Sequence, residues 1–142
     1  MKLRLAALAL FAAAPLLSAQ GGQKVVSHDG GCQVTVPAGW QVSAGIGLAT
    51  SADKSQSAVV SSPKHMSGLA DVKQIAPTIY KDDKVVKDSG SEFQMEGQSG
   101  DGKPNVYRAV PVSGGLCLVE VKYTSGTIDD ARKIAESLKS AK

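Results

Sequence analysis

Apolar and polar positions alternate most clearly in two stretches. Cys32, Val34 and Val36 alternate with Gln33 and Thr35, which predicts a strand from Cys32 to Val36 with one apolar face. Cys117, Val119, Val121 and Tyr123 alternate with Leu118, Glu120 and Lys122, so Leu116 to Thr124 is the strongest strand in the chain. Phe93 and Met95 alternate with Glu92, Gln94 and Glu96. Val106, Arg108, Val110 and Val112 alternate with Tyr107, Ala109 and Pro111. Shorter strands are predicted at Trp40 to Ala44, Leu48 to Ser51, Ala58 to Ser62 and Lys84 to Ser91. Ser113-Gly114-Gly115 reads as a tight hairpin connection and Gly97 to Lys103 as a turn.

The period changes twice. Leu69, Val72, Ile75, Ala76 and Ile79 recur at helical spacing, predicting a helix from about Leu69 to Tyr80 with Ser67 as its cap. Pro77 lacks a donor and crowds the preceding turn, so a kink or stop is expected near Ala76. Ile128, Ala131, Ile134, Ala135 and Leu138 form a second stripe. Thr127 caps it, Asp130 gives a capping-box-like start, and Lys139 and Lys142 sit where positive charge suits the helix dipole. The expected fold class is α+β, an antiparallel sheet with helices packed on it.

The first nineteen residues follow another logic. Lys2 and Arg4 precede an uncharged run from Leu5 to Leu17, and Leu17-Ser18-Ala19 places a small residue before Gln20. This is the layout of a secretory signal peptide. The run of about 13 apolar residues is short of the roughly 20 that cross a bilayer, and nothing later in the chain is apolar enough to span. Gln20 stands where a lipoprotein needs its lipidated cysteine. The expected organisation is a signal peptide over 1–19, a flexible lead-in over 20–29 and a single α+β domain over 30–142. The expected location is the periplasm or the extracellular space of a bacterium.

Removing the signal changes the charge. The chain carries a formal +3, and without Lys2 and Arg4 the excess falls to about +1, too little for the clustered basic face that nucleic acid requires. The remaining lysines are mixed with acids, as in Lys81-Asp82-Asp83-Lys84. That is the pattern of a solvated surface.

Cys32 and Cys117 are the two cysteines. An even count in an exported chain favours a disulfide, and both lie on apolar strand faces. Closing a loop of about 86 residues is worth roughly 4–5 kcal/mol on the chain-entropy model. The alternatives are buried free thiols, or a redox or metal site. The wide separation disfavours a redox pair, and only His28 and His65 are at hand to complete a zinc set.

Candidate chemistry is sparse. Gly45-x-Gly47 is followed by strand-like residues and reads as a bend, not a phosphate loop. No Gly-x-Ser-x-Gly elbow occurs. Asp101-Gly102 lacks the acidic spacing of a calcium loop. Trp40, His65 and Met66 are the candidate ligand or partner contacts. His65 with Met66 offers soft donors to copper but no third ligand, and Trp40 is read as either a groove wall or a core residue. No catalytic residue, metal site or cofactor is predicted.

With these elements placed, His28-Asp29-Gly30-Gly31-Cys32-Gln33-Val34-Thr35-Val36-Pro37-Ala38-Gly39-Trp40 resembles the opening of PsbP-like proteins, where an alternating strand runs into Pro-x-x-Trp. The later order of short strands, middle helix, strand meander and C-terminal helix is similar too, over about Gly30 to Ala141. The resemblance implies an α/β/α sandwich in which Pro37 and Trp40 are structural. Members include extrinsic photosystem subunits and exported bacterial proteins that act as binding or assembly factors, so no catalytic residues carry over. The photosynthetic members have metal-linked roles, for which this chain has no matching ligand set. The leading expectation is an exported, non-catalytic binding or assembly domain with an unknown protein or envelope partner. The alternatives are a small secreted hydrolase whose site assembles only in three dimensions, and a metal or small-ligand carrier.

Overall fold

The computed structural model describes residues 21–98, 101–124 and 126–142. The signal peptide expected over 1–19 lies outside them. Among the described residues there are ten strands and two helices: β1 (Gln23–Val26), β2 (Cys32–Val36), β3 (Gln41–Ser43), β4 (Leu48–Thr50), β5 (Gln56–Ser61), α1 (Leu69–Ile79), β6 (Lys84–Asp88), β7 (Phe93–Gln98), β8 (Pro104–Val112), β9 (Gly115–Tyr123), α2 (Ile128–Glu136) and β10 (Lys139–Ser140). β3-β4-β5-β9-β8-β7-β6 form one antiparallel sheet, and β1-β2-β10 form a smaller one.

The alternation read from the sequence sorts the strand residues into two cores. Cys117, Val119 and Val121 of β9, Val106 of β8, and Ala58 and Val60 of β5 face the small sheet and α2. There they meet Val25, Cys32, Val34, Val36, Trp40, Ala131, Ile134, Ala135 and Leu138. Leu116 and Leu118 of β9, Tyr107 and Ala109 of β8, and Phe93 and Met95 of β7 face α1 through Leu69, Val72 and Ala76. β9 is apolar at both parities because layers lie on both of its sides, as a central strand requires. The result is an α/β/α sandwich with the small sheet beside α2.

Cys32 and Cys117 are joined, with their Cα atoms 5.5 Å apart. The bond ties the small sheet to the central strand of the large one. It meets the expectation that two inward-facing cysteines come together.

Several local expectations need correction. The flexible lead-in over 20–29 contains a strand: Lys24 and Val25 pair with Thr35 and Val34, and Val25 is fully buried. A single inward valine left too little pattern to see this. The C-terminal helix ends at Glu136, and Lys139 and Ser140 instead pair with Gln33 and Cys32. α1 runs through Pro77, and the Tyr80 N–H still reaches the Ala76 carbonyl at 2.9 Å. Proline this close to the helix end forfeits one backbone bond. Ser67 does not cap α1. Gly68 occupies that position, and the Asp71 carboxylate accepts from the Ser67 N–H and hydroxyl at 2.7 and 2.8 Å. Thr127 does cap α2, accepting from the Asp130 N–H.

One turn and one close approach depend on glycine. Ser113 and Gly114 alone connect β8 to β9, with Gly114 at φ +83°. Gly47 stands at φ +68°, and a Cβ there would lie 2.3 Å from the Val60 carbonyl oxygen.

Candidate functional site

α1 packs on β7 and β8. It leaves β5 and the far half of β9 uncovered on the same face of the sheet. The gap is a groove of about 320 Å³, at the low end of the range usual for small-molecule sites. Ile75, Ala76 and Ile79 of α1, with Tyr80 at its C-terminal cap, form one wall, and Ser57, Val59 and Ser61 of β5 form the other. Leu118, Glu120, Lys122 and Tyr107 lie between them, and Met66 closes the groove from the loop before α1. Ile79 and Val59 stand at the rim, 60% and 44% exposed.

One end of the groove is polar. The Tyr80 hydroxyl donates to Glu120 Oε2 at 2.7 Å. Tyr80 also stacks at a tilt on Tyr107, with ring centroids 5.0 Å apart. Glu120 Oε1 is buried and receives no hydrogen bond; Lys122 Nζ lies 3.5 Å away, at ion-pair range, and donates instead to Asp101 Oδ2 at 3.1 Å. Burial and the Glu120 carboxylate push the Tyr80 phenol well above its usual range. Burial, with Glu120 adding to it, raises Tyr107 to about 12. Burial alone would pull the Lys122 ammonium down, but Asp101 and Glu120 outweigh it and hold it up. Burial raises Asp83, against the opposing hydrogen bonds from Asn105 and the Gln98 backbone. Both tyrosines therefore stay neutral at physiological pH. The Tyr80 hydroxyl is a donor to Glu120, and both rings line the groove.

The candidates named from sequence are split between the two faces of the sheet. Met66 lines the groove, while His65 next to it is exposed. Trp40 is 9% exposed in the opposite core and borders a second cavity of about 500 Å³ with Pro37, Asp130, Lys133 and Ile134. His28 Nδ1 contacts the Gly45 carbonyl, joining two turns. Among the described residues, no three His, Cys, Asp or Glu side chains are placed to share a metal ion. No described helix is long and apolar enough to cross a membrane.

A second polar cluster, on the other face, is structural in its contacts. Arg132 of α2 grips Glu96 of β7 with two hydrogen bonds of 2.7 Å, and Gln94 donates to the same carboxylate at 2.9 Å. The Arg132 hydrogen bonds hold the Glu96 carboxyl below its ordinary value.

No family model matches the chain, and no curated protein matches it. Among solved structures, the chain is similar to the solution structure of cyanobacterial PsbP (CyanoP) from Synechocystis sp. PCC 6803. The match has a TM-score of 0.51 at 12% identity, covering 92% of this chain and 98% of that one. An identity this low speaks to architecture alone. Together with the layered helices and the antiparallel sheet, it establishes that this chain has a PsbP-like fold.

Proposed function

We propose that this protein is an exported, non-catalytic binding domain that acts in the periplasm or cell envelope, with the groove beside α1 as its binding site. The observation that carries this reading is the groove itself, with apolar walls, an exposed apolar rim and one polar end. Pockets of this make-up hold ligands through their walls and orient them through a few polar groups. Export is supported by the charged start, the apolar run and the small residues before Gln20, and by a disulfide of the kind that persists in oxidising compartments. The resemblance to PsbP-like proteins, whose members bind or assist assembly, supports a binding role only by analogy.

Two measurements test this. In fractionated cells, N-terminal sequencing should find a chain beginning at Gln20 outside the cytoplasm; a cytosolic chain with intact Met1 refutes export. Native mass spectrometry of protein purified from the envelope should show an adduct that is lost in Val59→Trp, where the indole fills the groove. An adduct unchanged by that substitution refutes the groove as the site.

A further inference from the structure

We infer that Asp83 and Asn105 form a proton-dependent latch at the end of α1: protonated Asp83 closes an acid–amide pair with Asn105 and pins the helix end to β8, and ionised Asp83 leaves that pair half made. The latch stands apart from the binding reading, since nothing in it depends on what the groove holds.

The two side chains meet where the chain leaves α1. The Asp83 N–H bonds to the Tyr80 carbonyl at 3.1 Å, so the turn is wound onto the helix end. Asn105 of β8 is 0% exposed, and its Nδ2 donates to Asp83 Oδ2 at 3.0 Å. Each side chain then has one oxygen left, and in both that atom, Oδ1, is buried with no hydrogen bond. Asp83 Oδ1 lies against Gly97 of β7, 2.6 Å from where a Cβ there would stand. Buried polar atoms are seldom left in this state, because each unpaired one costs free energy.

Two oxygens that only accept cannot bond each other. A proton on Asp83 changes this, because a carboxylic acid has an O–H to donate beside the oxygen that accepts. Oδ1–H then donates to Asn105 Oδ1 while Oδ2 still accepts from Nδ2. One proton taken from solvent thus satisfies both buried oxygens.

The surrounding charge favours that proton. Asp82 and Lys84 flank Asp83 on its own turn, and Tyr80 stands at the helix end. Lys122 of β9 pairs in register with Asn105, Glu120 lies on the same strand, and Asp101 and Lys103 stand on the turn that enters β8. Burial, with the negative charges of Glu120 and Asp82 adding to it, raises the Asp83 carboxyl against the hydrogen bonds from Asn105 and the Gln98 backbone. A carboxyl raised in the folded state contributes stability that is complete below its unfolded value and is lost as the pH rises through the folded one.

The test compares the mature protein with Asp83→Asn, whose amide can donate to Asn105 Oδ1 and accept from Nδ2 at any pH. Urea melts of both at pH 7 and pH 4 isolate this one group, because Glu96 and the other acids are common to the two proteins. Asp83→Asn should have the higher urea midpoint at pH 7, and wild type should close the gap by pH 4. A variant less stable than wild type at pH 7, or a gap that does not change with pH, overturns the latch. A second measurement needs no variant. In ¹³C NMR the Asp83 carboxyl, assigned through its own backbone, should titrate at higher pH in the folded protein than in the same chain unfolded in urea. A folded carboxyl that titrates at or below the unfolded one overturns the latch as well, and leaves Asp83 an ion held by Asn105.

Discussion

Breaking the bond between Cys32 and Cys117 should remove a large share of the stability of this domain. The two residues are 85 apart in sequence. Crosslinking them withdraws about 15 cal/mol/K from the unfolded chain, or ~4.6 kcal/mol at 25 °C on the chain-entropy model. Small domains are stable by about 5–15 kcal/mol. With an unfolding entropy of ~0.25 kcal/mol/K for about 120 residues, the melting temperature should fall by ~18 °C. Both cysteines are 0% exposed, so a reductant reaches the bond only through unfolding. The assay is therefore to unfold in urea with a phosphine reductant, refold, and compare urea and thermal melts with the oxidised protein. Freed of its link, the unfolded chain expands, so the denaturant slope should rise as the midpoint falls. Cys32→Ala/Cys117→Ala also loses buried sulfur contacts and should be weaker still. A loss below about 1 kcal/mol with an unchanged slope would refute the claim that the bond acts by confining the unfolded chain.

Three further outcomes are expected. Arg132→Ala strips Glu96 of its two charged donors and should lower stability at pH 7; because Arg132 is 40% exposed, the loss should be smaller than for a fully buried pair. Glu96 is held below its ordinary value when folded, so its contribution is complete above the unfolded value and is lost as the pH falls through the folded one. Urea melts at pH 7 and 3.5 should thus show a steeper acid loss in the wild type than in Arg132→Ala; parallel losses count against the pairing. Gly47→Ala places a Cβ against the Val60 carbonyl at positive φ and should cost about 1–3 kcal/mol in a thermal melt. Thr127→Ala removes the α2 cap and should cost ~1 kcal/mol, read by the same melt.

Period-2 alternation through Cys32, Val34 and Val36, and through Cys117, Val119 and Val121, made the central strands and the disulfide legible, because the inward faces of two sheets packed on one core meet there. The cap at Thr127 marked the start of α2 correctly. β1 and β10 were not legible. Each is held by pairing with β2, and pairing with a distant strand leaves no periodic trace in so few residues. The groove was hidden for the same reason. Its walls come from Val59, Ile79 and Leu118, which belong to three elements, and Tyr80 meets Glu120 across forty positions. Two signals pointed to it. Val59 sits between Ser57 and Ser61 on the otherwise polar face of β5, and Glu120 interrupts the apolar parity begun by Leu116 and Leu118. Met66, named from sequence as a candidate ligand or partner contact, lies in the wall of the groove.

The pairing of β2 with β10 also has a consequence for synthesis. β2 is made well before β10, and Cys32 is made 85 residues before Cys117. Neither the disulfide nor the three-stranded sheet can close until both distant segments are available, so the emerging chain passes through an interval in which chaperone or thiol chemistry can reach what the finished molecule conceals.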